Sequence, residues 1–182
     1  MADVQAELCR DGVAPYFIYR DPRDVVVSHV FYVTDINNKH VHNDYYTKAL
    51  KDFDERLEVS ILGRPEIAVP FPDINERFAP YLGWLERSEV LALRYEDLLE
   101  RPEAELGRIF DHAMTRGFSH AGERAAAVQA LWRAIRPEDS PTFRSGQAGG
   151  WKKHFTRKHT KLFKEVAGEL LMRLGYERDL NW

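Results

Sequence analysis

The chain has 182 residues, 26 Lys+Arg against 29 Asp+Glu, and 44% hydrophobic residues, the profile of an ordinary globular chain of about one domain with enough apolar content for a core. A net charge of −3 provides no basic field for nonspecific nucleic-acid binding, and disorder and collagen are excluded by composition. The single cysteine, Cys9, cannot close an intramolecular disulfide, no apolar run approaches the roughly 18 residues of a membrane span, and Met1 to Arg10 lacks the pattern of a signal peptide. These features predict a cytoplasmic protein.

Val4 and Leu8 at helical spacing, with Gly12 in a C′ position, read as the end of a helix. The aromatic run Tyr16-Phe17-Ile18-Tyr19 then predicts a buried parallel strand. Asp21 can cap a helix and Pro22 suits its first position, so the β-branched run from Val25 is expected to continue as a helix to Tyr32. Thr34 to Asn43 is polar and loop-like. Tyr46, Leu50, Phe53, Leu57 and Ile61 predict one long amphipathic helix ending near Gly63, and Ile74, Phe78, Tyr81, Leu82 and Leu85 another. A second strand is expected at Val90 to Tyr95, followed by a helix starting near Pro102 and carrying Leu106, Ile109 and Phe110. Another helix is expected at Ala125 to Ile135, then an aperiodic loop from Pro137 to Gly150, then a helix around Leu162 to Leu174. One helix-rich α/β domain is the simplest account.

Two arginines stand in settings suited to an anion. Arg20 closes a strand at the C-terminal edge of a parallel sheet and adjoins a helix N-terminus, with Ser28 two turns along that helix. The alternative is that Arg20 pairs with Asp21 or Asp24 while Ser28 packs. Arg144 lies in Thr142-Phe143-Arg144-Ser145-Gly146-Gln147-Ala148-Gly149-Gly150-Trp151, whose glycines allow backbone N–H groups to turn toward an anion.

Tyr19-Arg20-Asp21-Pro22-Arg23-Asp24-Val25-Val26-Val27-Ser28, then Arg94-Tyr95-Glu96-Asp97-Leu98, then Phe143-Arg144-Ser145-Gly146 through Lys153-His154-Phe155-Thr156 follow the order found in cytosolic-type sulfotransferases, and the chain resembles that family over nearly its whole length. The resemblance implies a P-loop-kinase-like parallel sheet flanked by helices, apparently truncated at its N-terminus, with residues 1–182 forming a single partial domain. It also implies 3′-phosphoadenosine 5′-phosphosulfate as donor, or adenosine 3′,5′-bisphosphate as bound nucleotide, with a small hydroxyl or amine acceptor. Arg20, Ser28, Arg144 and Gly146 would hold the nucleotide 3′-phosphate, Tyr95 would lie near the adenine, and Ser145 belongs to the same loop.

The sequence departs from the family pattern at Ser145, where a lysine is usual, and at Gly150, where an acidic residue is usual. Arg157 and Lys161 replace residues of the family's dimer motif, which argues against family-style pairing. The residues before Tyr16 contain no lysine, no histidine and no phosphate-binding loop, so the groups facing the transferred sulfuryl are absent from this chain. No catalytic residue is assigned, and His40-Val41-His42 alone makes a weak metal site. The isolated chain is expected to be inactive, to self-associate through an exposed strand edge, or to be completed by another chain. The alternative is a non-catalytic nucleotide- or partner-binding module of the same fold.

Overall fold

A computed structural model describes residues 7–182. Val4 lies outside them, so the first predicted helix is described only at its end, where Gly12 adopts the left-handed φ of 78°. The chain divides into two compact units, each assembled from two separate stretches. One comprises Met1–Arg20, described from residue 7, with Tyr81–Gly146; the other comprises Asp21–Pro80 with Gln147–Trp182.

The first unit is built on two short parallel strands, β1 (Tyr16–Tyr19) and β2 (Leu91–Arg94), in register from Tyr16 opposite Leu91 to Tyr19 opposite Arg94. Parallel strands need a long connection, and more than seventy residues separate these two. Both were legible from their apolar runs, but β1 is not the buried strand expected. Tyr16 and Ile18 are 54% and 47% exposed, because one face of a two-stranded sheet receives little cover. On the other face Phe17 stacks on Tyr81 at 6.4 Å. Helices α4 (Tyr95–Glu100), α5 (Pro102–Thr115) and α6 (Arg124–Ala134) follow, with Leu93, Leu106 and Val128 buried. Arg116 near the end of α5 ties the N-terminal segment down, donating to the backbone oxygens of Val13, Cys9 and Arg10.

In the second unit, α1 (Pro22–Phe31) opens as its sequence predicts: the Asp21 carboxylate accepts from Arg23 N at 2.9 Å and proline occupies the first turn. The valine run is helical because its side chains pack inward; Val26, Val27 and Val30 are buried against α2 (Phe53–Leu62). α2 also packs on α7 (Arg157–Arg173), whose Phe163, Leu170 and Leu171 are buried. The Ser60 hydroxyl on α2 donates to the Val26 carbonyl. The single long helix expected from Tyr46 to Gly63 is instead two pieces. A wide helical turn spans Tyr45–Ala49, Leu50 is extended, and Asp52 starts α2 by accepting from Glu55 N at 2.9 Å. The local hydrogen bonds of an aspartate at the N-cap outweigh continuous periodicity. α3 (Ile74–Phe78) has an Asp73–Glu76 capping box, and α7 begins at the Thr156 cap, five residues before the expected start. No helix of the described residues is long and apolar enough to cross a membrane.

Candidate functional site

The strand register positions the first group of site residues. Because Tyr19 lies opposite Arg94, Arg20 and Tyr95 emerge together, one residue past the paired segment, at the C-terminal ends of the strands. The Arg20 guanidinium carbon lies 4.9 Å from the centroid of the Tyr95 ring, close enough for cation–π attraction that holds the fork in one place.

Beside this pair the first unit contains a cavity of about 560 Å³, lined by Ile18 of β1, Tyr95, Leu98 and Leu99 of α4, Pro102 and Leu106 of α5, Trp132 of α6, and Ile135, Phe143, Ser145 and Gly146 beyond it. Its walls are apolar and aromatic, with Arg136 contributing a charged edge, the makeup of a slot for a flat ring with polar substituents. Gly146 has φ 57°, and a Cβ there would lie 3.0 Å from the Phe143 ring, so both the left-handed backbone and the close ring favour glycine.

Three of the sequence-predicted residues, Tyr95, Ser145 and Gly146, line one cavity, and Arg20 joins them through Tyr95. Arg144 is exposed on the same loop. Trp132, Leu106 and Ile18 were missed. The sequence offered only a tryptophan beside Arg133 and Arg136 on an expected helix; its 48% exposure, the mark of a contact site, is seen in the structure.

Ser28 belongs to the second unit, half-buried on α1. Four residues before it, and so on the same helical face, Asp24 is 2% exposed and accepts from Gly149 N at 2.7 Å and Trp151 N at 2.8 Å. The glycine-bearing segment after Gln147 is thereby fastened to the helix that carries Ser28. Arg23 is buried beside it, donating to Asp21 and to Glu177. Burial opposes its charge, but the two carboxylates outweigh that and hold its pKa above the ordinary arginine value.

Among the described residues no group of three or more His, Cys, Asp or Glu is placed so that it could hold a metal ion. His29 stacks on Phe71 at 4.7 Å, and its Nδ1 lies 3.2 Å from the Ser60 hydroxyl. Burial, then the neighbouring Arg77, His40 and His42, lower its pKa to about 3, so it is a neutral packing residue.

The parallel strand pair, the helices that follow it and the residues gathered at its strand ends define a helix-rich α/β protein with a candidate binding cavity. The model of the sulfotransferase domain matches residues 16–175, and the chain belongs to that family. Its fold is shared with solved structures: mouse sulfotransferase SULT7A1, complexed with PAP, superposes with a TM-score of 0.56 at 16% identity, over 88% of this chain and 59% of that one. Retinol dehydratase, in complex with androsterone and the inactive cofactor PAP, gives 0.56 at 20% identity, over 87% of this chain and 47% of that one. The chain therefore spans about half the length of these structures. No curated protein matches it.

Proposed function

We propose that this chain binds the adenosine 3′-phosphate end of 3′-phosphoadenosine 5′-phosphosulfate, and that the protein it represents transfers sulfuryl from that donor to a hydroxyl or amine of a small acceptor. The observation that carries this reading is the Arg20–Tyr95 contact, with Tyr95 in the wall of an apolar and aromatic cavity that Ser145 and Gly146 also line. The cavity has the apolar walls a purine needs, and Arg20 has the planar fork that suits a phosphate.

In this assignment Arg20 and Arg144 neutralise the 3′-phosphate, the Ser28 hydroxyl and a Gly146 N–H add hydrogen bonds, and Tyr95 orients both Arg20 and the base. The bound donor supplies a sulfuryl group whose bond to phosphate breaks as the acceptor oxygen or nitrogen attacks sulfur, adenosine 3′,5′-bisphosphate leaves, and the acceptor loses a proton. This chain's residues act on the nucleotide and not on the transferred group. Residues 1–182 are read as one sulfotransferase domain, supported by a family match that runs through both units. The protein is assigned to the cytoplasm. Among the described residues β1 pairs with β2 alone, and that open strand edge, beside the exposed Tyr16 and Ile18, supports pairing with a second copy or a completing chain.

Calorimetry with adenosine 3′,5′-bisphosphate and adenosine 5′-monophosphate tests the nucleotide assignment. The 3′-phosphate should tighten binding, and Arg20→Ala should weaken the bisphosphate alone by about 10–100-fold. Equal affinity of the wild type for both ligands would overturn the 3′-phosphate reading.

A further inference from the structure

Arg23, Asp24 and Trp182 are not assigned a nucleotide contact, yet Arg23 and Asp24 are both buried charges of the second unit and Trp182 lies against Arg23. The Arg23 side chain is 4% exposed. Its Nε and Nη2 donate to Asp21 at 3.0 and 2.8 Å, and its Nη1 donates to Glu177 at 2.5 Å. Its guanidinium carbon lies 4.1 Å from the Trp151 ring and 4.6 Å from the Trp182 ring, and the two indoles meet edge to face at 5.9 Å, making an aromatic corner around the charge. Trp182 is itself held on α7: Lys164 Nζ donates to its main-chain oxygen at 2.5 Å, and Phe163 packs edge-on at 6.1 Å. Next along the chain, Asp24 accepts from Gly149 N and Trp151 N.

We propose that Trp182 is a positioning residue: by covering Arg23 and sharing it with Trp151, it locks the Gly149–Trp151 arm of the glycine loop onto the first turn of α1. A buried arginine loses hydration that its carboxylate partners must offset, and aromatic faces can cover the guanidinium without competing for those hydrogen bonds. The Trp182 indole N–H is buried without a hydrogen-bond partner, so the ring and not the N–H serves this role. With Trp182 removed, water reaches Arg23, Trp151 loses one of its two aromatic neighbours, and the arm is held by the Asp24 contacts, the Arg23–Trp151 contact and Phe155. The functional consequence rests on the proposed nucleotide site: the arm continues directly from Arg144–Gly146, and Ser28 lies on the helix to which it is fastened.

Hydrogen exchange at the Gly149 and Trp151 amides tests the latch in the full chain without ligand. Trp182→Ala should speed exchange there by about 5–30-fold relative to the α2 amides, and Trp182→Phe should restore protection. Trp182→Leu, which keeps apolar contact with Phe163 but removes the ring, covers the case in which the alanine variant does not fold; it too should speed exchange. Wild-type protection of both amides in folded Trp182→Leu or Trp182→Ala protein would overturn the proposal. Calorimetry provides the second readout. The leucine variant should bind adenosine 3′,5′-bisphosphate about 5–30-fold more weakly at unchanged stoichiometry, with adenosine 5′-monophosphate little affected. Lower stoichiometry at wild-type affinity would mean a merely structural role and would also overturn the proposal. A wild-type chain that does not prefer the bisphosphate would instead overturn the nucleotide reading, while exchange still decides the latch.

Discussion

Arg20 reaches Tyr95 because two parallel strands in register deliver consecutive residues to the same point, and the ring then limits where the guanidinium can go. If this stacking prepares Arg20 for a phosphate, Tyr95→Ala should weaken binding of adenosine 3′,5′-bisphosphate by about 3–10-fold, whereas Tyr95→Phe should leave it close to wild type, as calorimetry can measure. At the other end of the polarity scale, His29 is a titratable group kept neutral. Its pKa of about 3 lies below the ordinary 6.5, so its contribution to stability is complete above pH 6.5 and is lost as pH falls from there toward 3. The unfolded chain takes up the proton first. The stability advantage of wild type over His29→Phe should therefore shrink by about 1.5 kcal/mol between pH 6.5 and about pH 5, measured by urea unfolding.

At the scale of elements, side-chain caps and glycine conformations decided boundaries that periodicity left open. Asp52, not the apolar spacing, separates α2 from the turn before it, and Thr156 starts α7, where its N–H donates to His159 Nδ1 at 3.1 Å. Replacing Thr156 with Ala should cost about 1 kcal/mol, readable in thermal unfolding. Gly63 ends α2 with φ 71°, and a Cβ there would lie 2.5 Å from the Phe71 oxygen, a backbone atom that cannot move aside because Arg64 and Phe71 pair across it. Gly175, after α7, has φ 74° but open space around it. Both alanine variants incur the left-handed penalty of about 1–2 kcal/mol, and Gly63→Ala should cost at least about 1 kcal/mol more than Gly175→Ala in urea unfolding.

At the scale of the whole molecule, a ligand that binds only the folded chain must stabilise it. Adenosine 3′,5′-bisphosphate at about 100 times its Kd should raise the unfolding free energy by about 2.7 kcal/mol, and adenosine 5′-monophosphate at the same concentration should raise it less. A thermal shift series over both nucleotides checks this. No shift with either would remove the nucleotide assignment altogether. Because the family model runs from residue 16 to 175, through both sequence-interrupted units, the domain has to be treated as one chain in any such measurement.

The linear chain by itself determined the two strands, the Asp21–Pro22 helix start, the aperiodic loop before Gly150 and the family, because these depend on apolar runs, local caps and short motifs. Arg20, Tyr95, Ser145 and Gly146 stand out in the sequence because each sits in a contiguous motif; that Tyr95, Ser145 and Gly146 line one cavity is seen only in the structure. Tertiary structure decided the rest. The exposure of β1, the division of the 46–63 helix, the contribution of Trp132 to the cavity and the closing of Trp151 and Trp182 around Arg23 all depend on partners far apart in sequence. Periodicity reports which side of an element is apolar. It cannot report whether anything covers that side, and cover is what turns an arginine into a buried anchor and a tryptophan into a wall.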